Sequence, residues 1–205
     1  MKKLKPMKKL LLILLCVPLI GIGQCISGDC NNGYGTYIWN NGDKYIGYSM
    51  NNMCHGQGIK TWASGSKYEG EFKNNNKHGQ GTQIYPSGNK YVGKWQNNKR
   101  NGLGTFYYFR GDVYEGEWKD GQKNGQGTCS YITGNKYEGE WKDGSWHGQG
   151  TRYWKIKGTK FTNMDAGTKY VGQWLNNAMN GQGIATFVDG TVKDGLWENG
   201  VFIGN

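Results

Sequence analysis

Aliphatic side chains are scarce in this 205-residue chain once its N-terminal segment, residues 1–23, is set aside. The same sequence contains 36 glycines, 14 tyrosines, 9 tryptophans and 6 phenylalanines. A conventional globular interior is filled mainly by leucine, isoleucine and valine, and their scarcity excludes a core of that kind. Any core must instead bury aromatic rings against backbone.

Groups suited to catalysis are also few, and the three histidines are His55, His78 and His147. All three precede a Gly-x-Gly sequence, a place that asparagine occupies in other copies of the pattern, as at Asn101. A place that accepts either residue is typical of a turn, so we assign these histidines no acid–base or metal role.

Glutamates recur in pairs separated by a single residue, as at Glu69 and Glu71. This spacing on a strand puts both carboxylates on one face, and the lysines nearby indicate a solvated face rather than a catalytic pair. The Gly-x-Gly sequences lack the helix and the lysine that a phosphate-binding loop requires, and no Cys-x-x-Cys spacing occurs. The sequence therefore predicts a protein that is not an enzyme and uses no metal or cofactor.

The formal charge of +10 overstates the basicity of the folded part. Five of the 25 Lys and Arg residues lie in residues 1–23, which contain no acid, so 20 basic and 15 acidic residues remain, a net charge of +5. The basic residues are spread along the chain, which argues against nucleic acid as a partner.

A tyrosine recurs at a constant interval through most of the chain, and once more after a longer step. The interval from Tyr45 to Tyr68 is repeated without change as far as Tyr137, and the longer step leads to Tyr170. A fixed period of this length indicates stacked structural repeats. The tyrosines are Tyr45, Tyr68, Tyr91, Tyr114, Tyr137 and Tyr170.

Three of these tyrosines, Tyr68, Tyr114 and Tyr137, begin a segment in which ring-bearing and charged residues alternate. In Tyr68-Glu-Gly-Glu-Phe72, the rings and the glycine point to one face of a strand and the glutamates to the other. This aromatic face is our candidate surface for stacking against a ligand. Its rings are Tyr68, Phe72, Tyr91, Trp95, Tyr114, Trp118, Tyr137, Trp141, Tyr170 and Trp174.

A polar turn such as Lys119-Asp-Gly-Gln-Lys123 follows each strand, and the chain returns through Gly-x-Gly-Thr. Glycines weaken a strand, and we expect them here because they leave room for rings to lie across the backbone. A lone hairpin is marginal in water, so the hairpins must stack. The sequence predicts an all-β fold, an elongated single-layer antiparallel sheet of stacked β-hairpins, preceded by an N-terminal signal helix.

The pattern Y-x-G-x-W followed by G-x-G-T, repeated at the tyrosine interval, resembles the MORN repeat family (membrane occupation and recognition nexus). The resemblance runs from about residue 33 to the C-terminus. It implies a hairpin array that acts as a binding or assembly surface rather than as a catalyst.

Departures from the pattern set the predicted boundaries. Residues 24–44 form a lead-in and a truncated repeat, residues 45–192 the repeat array, and residues 193–205 a partial capping repeat. An insertion at about residues 155–166 predicts an exposed basic loop, either a partner contact or a tolerated surface insertion. Its candidate contact residues are Lys155, Lys157, Lys160 and Phe161.

Residues 1–23 have the layout of a secretion signal peptide, with five lysines before a short apolar run. Cleavage after Gly23 would leave Gln24 as the first residue. The run is short for a transmembrane helix, and retention as an uncleaved anchor is the alternative. We expect an exported protein that is periplasmic, bound to the cell envelope or extracellular.

An exported chain can oxidise its cysteines, and Cys25 with Cys30 is the favoured pair, closing a small loop at the first edge of the sheet. Cys30 and Cys54 lie in nearly equivalent places of successive hairpins, about 10 Å apart and beyond the reach of a disulfide. Unpaired cysteines are the alternative.

Three kinds of partner are compatible with an aromatic array. The leading hypothesis is a scaffold that binds a protein or copies of itself at the cell envelope, because Tyr and Trp offer large contact area at little cost in rotamer entropy. The first alternative is an acidic phospholipid surface. The second is an envelope polysaccharide stacked on exposed rings.

The signal assignment predicts the mass of the exported protein. Protein recovered from a secreting host should give, by intact-mass spectrometry, a species that begins at Gln24. A mature species that keeps residues 1–23 would instead support the anchored form.

Overall fold

A computed structural model describes residues 23–155 and 167–205, which form a single antiparallel sheet. Over these residues the sheet has 16 strands in chain order and the chain has no helix, which confirms the predicted all-β hairpin array. The predicted signal helix lies outside the described residues. None of the described residues forms a helix able to cross a membrane.

The strands alternate between the two arms of successive hairpins. They are β1 (Gln24–Gly28), β2 (Tyr34–Ile38), β3 (Lys44–Met50), β4 (Met53–Thr61), β5 (Lys67–Lys73), β6 (Asn76–Ile84), β7 (Lys90–Gln96), β8 (Lys99–Tyr107), β9 (Val113–Lys119), β10 (Gln122–Ser130), β11 (Lys136–Lys142), β12 (Ser145–Tyr153), β13 (Lys169–Leu175), β14 (Ala178–Thr186), β15 (Val192–Glu198) and β16 (Val201–Gly204).

Two-residue loops connect the paired strands of the hairpins. In the loop between β5 and β6, Asn74 and Asn75 have φ of 49° and 65°. Positive φ at both positions is typical of a type I′ turn, which asparagine tolerates and whose twist suits the strands. The second loop residue also ties neighbouring hairpins together, since Oδ1 of Asn98 accepts a hydrogen bond from the backbone N–H of Lys77 at 2.8 Å.

Glycines face glycines across neighbouring strands, and each tyrosine ring lies over such a pair. Gly116 pairs with Gly127, and a Cβ atom added to Gly127 would lie 2.4 Å from the hydroxyl oxygen of Tyr114 and 2.7 Å from its ring carbon Cζ. No side chain fits in that space. The predicted reason for the glycines is therefore confirmed.

The returning strand contains a bulge that the sequence analysis did not anticipate. Between the pairs Lys123 with Trp118 and Gly127 with Gly116, β10 has more residues than the β9 segment opposite it. The backbone N–H of Gln126 in this bulge donates to the carboxylate of Glu117 at 2.9 Å. The second glutamate of such a pair thus holds the bulge in shape, in addition to lying on the solvated face.

The core is a single layer of rings on one face of the sheet. Trp118 packs edge to face against Tyr114 of its own repeat and Tyr91 of the preceding one, with centroids 5.2 and 5.3 Å apart. Its indole N–H donates to the carbonyl of Gly104 at 3.0 Å. Each tryptophan in this place therefore joins two hairpins, as stacked repeats require.

The longer step between repeats does not disturb the sheet. Gly150 of β12 pairs with Gly172 of β13, which continues the line of paired glycines past the insertion. The indole N–H of Trp174 donates to the carbonyl of Gly150 at 3.1 Å, the same contact that the other repeats make. The insertion therefore leaves the stacking of the hairpins unchanged.

A disulfide joins Cys25 and Cys30 at the first edge of the sheet, with a Cα–Cα distance of 5.9 Å. This is the pair that the sequence favours. Cys54 and Cys129 are free and buried.

Substitution of Gly127 by alanine should destabilise the protein by about 1–3 kcal/mol, because the added methyl group meets the ring of Tyr114. The free energy of unfolding in urea measures the effect. Gln126→Ala is the matched control, since this neighbouring side chain is exposed. Equal midpoints for Gly127→Ala and the control would contradict the role given to the glycines.

Candidate binding face

The ten rings proposed as a stacking surface are buried, with 0–4% of each residue exposed. The sequence interpretation of them as a ligand surface is therefore wrong as the chain stands, because neighbouring hairpins cover each ring. The set is Tyr68, Phe72, Tyr91, Trp95, Tyr114, Trp118, Tyr137, Trp141, Tyr170 and Trp174. These residues form the core on which the outer layer of the same face is built.

Basic side chains lie over the buried tryptophans. The amino groups of Lys77 and Lys123 are 4.3 Å from the ring of Trp95 and 4.5 Å from that of Trp141, and the guanidinium of Arg100 is similarly placed over the ring of Trp118. These three cations occupy one repeat place, shortly before Gly-x-Gly. Their recurrence at the tyrosine interval is visible in the sequence, but their position over the rings is not.

A second repeat place contributes two further cations, Lys60 and Arg152. The guanidinium of Arg152 lies 4.7 Å from the ring of Tyr131 and 4.4 Å from that of Trp146. Arg152 is 8% exposed, and its Nε and Nη1 atoms have no hydrogen-bond partner among the described residues. Stacking on two rings is what holds this charge in the layer.

A row of half-buried rings borders the cations, and we call it the turn-ring row. Each member follows a returning strand and packs against the core. Its members are Trp39, Trp62, Tyr85, Tyr108, Tyr131, Trp154 and Phe187. Unlike the ten core rings, these retain surface that another molecule can touch.

The turn-ring row and the cations at Lys60, Lys77, Arg100, Lys123 and Arg152 together make the cation–ring face. Every carboxylate on a described strand alternates with the buried rings and so lies on the opposite face of the sheet. Within the described ranges, no carboxylate oxygen forms an ion pair with these five cations. The face is thus positive and rich in aromatic surface.

Burial alters the chemistry of one of these cations. Desolvation, helped by the positive charge of Arg100, lowers the pKa of Lys77 to about 8. Its amino group donates to Oε1 of Gln83 at 2.9 Å, which supplies a neutral partner for a largely buried ammonium. Gln83 is itself 1% exposed.

The three histidines lie at the bulges. The backbone carbonyls of His78 and His147 accept hydrogen bonds from the hydroxyls of Tyr68 and Tyr137 at 3.2 and 3.4 Å. Over residues 23–155 and 167–205, no three His, Cys, Asp or Glu side chains are grouped as metal ligands would be.

The basic insertion can be followed only at its start. The backbone N–H of Lys155 donates to Oδ1 of Asn135 at 2.9 Å, which anchors the residue to the preceding turn. Lys157, Lys160 and Phe161 lie outside the described residues, and their role as contacts stays a prediction.

The sequence matches the model of the MORN repeat at seven places. They are residues 32–44, 45–67, 68–90, 91–113, 114–136, 137–159 and 170–192. No relative was found among curated proteins.

Two solved structures match over most of this chain. The TCP domain of SAS-4 (dCPAP) of Drosophila melanogaster, in complex with a proline-rich motif of Ana2 (dSTIL), is 12% identical, with 96% of this chain and 99% of that chain covered and a TM-score of 0.48. A mutant TCP10 domain of Danio rerio CPAP is 12% identical over 82% and 88% of the two chains, with a TM-score of 0.30.

The lowered pKa of Lys77 predicts how stability depends on pH. In the unfolded chain a lysine has a pKa of about 10.4, so between about pH 8 and that value the unfolded state binds more protons and stability rises with pH. Lys77→Met, which introduces the residue found in the same place at Met179, should remove this rise.

Urea midpoints at about pH 7.5 and about pH 9.5, below the ordinary titration of tyrosine, measure the rise. Lys99→Met is the control, because the Lys99 side chain is exposed and pairs with Asp120. The same pH dependence in wild type and Lys77→Met would show that Lys77 stays charged across this range.

Proposed function

Because the chain belongs to the MORN repeat family, whose repeats suggest a binding scaffold, we propose that it is a non-catalytic scaffold that holds an acidic segment of a protein partner. The cation–ring face is the binding surface, and the protein acts after export, at the cell envelope. The observation that carries the proposal is a line of cations over rings, none of which forms an ion pair with a carboxylate of the described residues.

The spacing of the cations suits an extended peptide. Lys77, Arg100 and Lys123 come from successive hairpins, so they are about 10 Å apart, two strand spacings. In a polyproline II conformation a chain rises about 3.1 Å per residue with three residues per turn, so every third side chain of a partner segment would lie on the same side and meet one cation. An acidic residue at that interval would satisfy each cation in turn.

The recessed position of the charges favours a peptide over a flat surface. Arg152 is almost fully buried and Lys77 is largely desolvated. Side chains of a peptide can enter between members of the turn-ring row, and the rings add contact area at a low cost in entropy. An acidic bilayer attracts mainly cations that protrude from the protein surface, as those of polybasic segments do.

Two observations support export. Residues 1–23 have the composition of a signal peptide, and the Cys25–Cys30 disulfide is a bond that persists in oxidising compartments. The site of action at the envelope is part of the proposal.

A synthetic peptide with glutamate at every third residue tests the binding, and the same peptide with lysine at those places is its control. The double variant Lys77→Gln and Lys123→Gln should weaken binding of the acidic peptide by about tenfold or more, measured by fluorescence anisotropy. The matched variant, Lys73→Gln and Lys119→Gln, changes net charge equally on the opposite, exposed face and should bind as wild type does.

Equal losses in both double variants would mean that only net charge matters, and the cation–ring face would be rejected. Acidic vesicles provide a second arm of the experiment. Binding to vesicles that is lost with added salt, without binding of the acidic peptide, would replace the protein partner by a phospholipid surface.

An envelope polysaccharide is a second candidate because the turn-ring row leaves aromatic surface accessible. Substitution of Trp118 or Trp141 cannot test it, since both rings are buried and their loss would unfold the repeat. Trp62 and Trp154 are the half-buried rings to replace. Retention on envelope polysaccharide that falls in Trp62→Ser but not in Leu103→Ser, an exposed residue of the opposite face, would favour this candidate.

A further inference from the structure

One repeat lacks the ring that completes the core elsewhere. Position 49 is serine, in the segment Tyr45-Ile-Gly-Tyr-Ser49. In the later repeats the same place holds an aromatic residue that packs on the tyrosines. Those residues are Phe72, Trp95, Trp118, Trp141, Trp174 and Trp197.

The neighbouring place is also small in this repeat. Cys54 stands where later repeats carry a long or bulky side chain, such as Lys77 or Trp146. Two small residues side by side leave a cavity of about 800 Å³ on the aromatic face. A space of this size lies within the range of about 300–1,000 Å³ of small-molecule sites.

The tyrosine beside this cavity lacks one of its usual partners. Tyr68 and Tyr91 each receive two edge-to-face rings, one from their own repeat and one from the next. In the part of the chain that the structure describes, Tyr45 receives only Phe72 of the next repeat, at 5.3 Å. The missing partner is the ring that would stand at Ser49.

The other walls suit an aromatic guest. Tyr37 and Trp39 line the cavity, and the Cys25–Cys30 disulfide lies at its outer end. Sulfur and ring edges attract one another modestly. The array itself thus specifies the shape of the guest, since the same place in six later repeats is filled by phenyl or indole.

Two residues of opposite charge line the cavity, Lys60 and Asp29. The amino group of Lys60 lies 4.2 Å from the ring of Trp39, and it forms no ion pair with a carboxylate among the described residues. The carboxylate of Asp29 stays negatively charged, because its Oδ1 atom accepts the backbone N–H groups of Asn32 and Asn31 at 3.0 and 2.9 Å, which lowers the pKa of Asp29. An anionic substituent of a guest would therefore be attracted toward Lys60 and repelled by Asp29.

We propose that this cavity binds a small planar aromatic molecule, with a phenyl or indole ring in the place vacated at Ser49 and an anionic substituent toward Lys60. The binding is noncovalent. Burial raises the pKa of the Cys54 thiol to about 11, so the cavity offers no thiolate to react with a ligand. The cavity shares Trp39 and Lys60 with the cation–ring face, but binding of a small ring in it does not require peptide binding along that face.

Three probes of one shape test it on the full chain: indole, indole-3-acetate and tryptamine. Ligand-observed NMR titration should show binding of indole, tighter binding of indole-3-acetate and weaker binding of tryptamine. Lys60→Gln should weaken binding of indole-3-acetate while it leaves indole unchanged.

Ser49→Trp supplies the missing ring from the chain itself and should weaken indole binding by about tenfold or more while it raises the melting temperature. Ser49→Ala is the matched control, because it keeps the space empty and should bind as wild type does. If Ser49→Trp does not fold, Cys54→Met fills the cavity from the adjacent place with the residue found at Met179.

Binding that survives both Ser49→Trp and Cys54→Met would place the guest elsewhere and overturn the proposal. Absence of indole binding by the wild-type chain would overturn it as well. Loss of binding in both filled variants, with Ser49→Ala unaffected, is the result that supports it.

Discussion

The contact between a tyrosine ring and bare glycine backbone governs this structure. Each ring lies across a pair of glycines, and a methyl group at one of them would overlap the ring. The ring of Tyr114, for example, is then covered by Trp118 of its own repeat and Trp141 of the next, so this hairpin does not complete its core alone. Order in the array depends on stacking, which offsets the entropy that the strand glycines cost.

A core only one side chain deep places strict demands on what covers it. Here the rings are covered by stacked cations. Their stems shield the rings from water and their charged groups are hydrated, so no layer of aliphatic residues is needed. Arg100 and Lys123 lie over indoles, while the carboxylates of the strands are kept to the opposite face. The two faces of one sheet therefore differ in sign as well as in apolar content, and this polarity is what makes one of them a binding surface.

Most of the fold could be predicted from the sequence because a single strand pattern is repeated in phase. Alternation assigned Tyr114 and Trp118 to one face, and the loop chemistry of Asn74 and Asn75 is visible as a turn. Burial could not be predicted, because it depends on how closely the next hairpin covers each ring. The bulge at Gly125 was not predicted either, because it arises from a shift in the register between β9 and β10 that the local sequence pattern does not indicate. The regular spacing of the cations could be seen in the sequence. Their burial over the rings could not, because it depends on tertiary packing.

The unbroken line of paired glycines past Gly150 and Gly172 has a consequence for how such a molecule can change. The turn at this junction can therefore vary in length without changing how the hairpins on either side of it pack. Small genetic insertions at this junction can add surface sequence that contacts other molecules, while the packing of the core stays the same. The same junction is a natural place at which to graft a reporter or a foreign epitope.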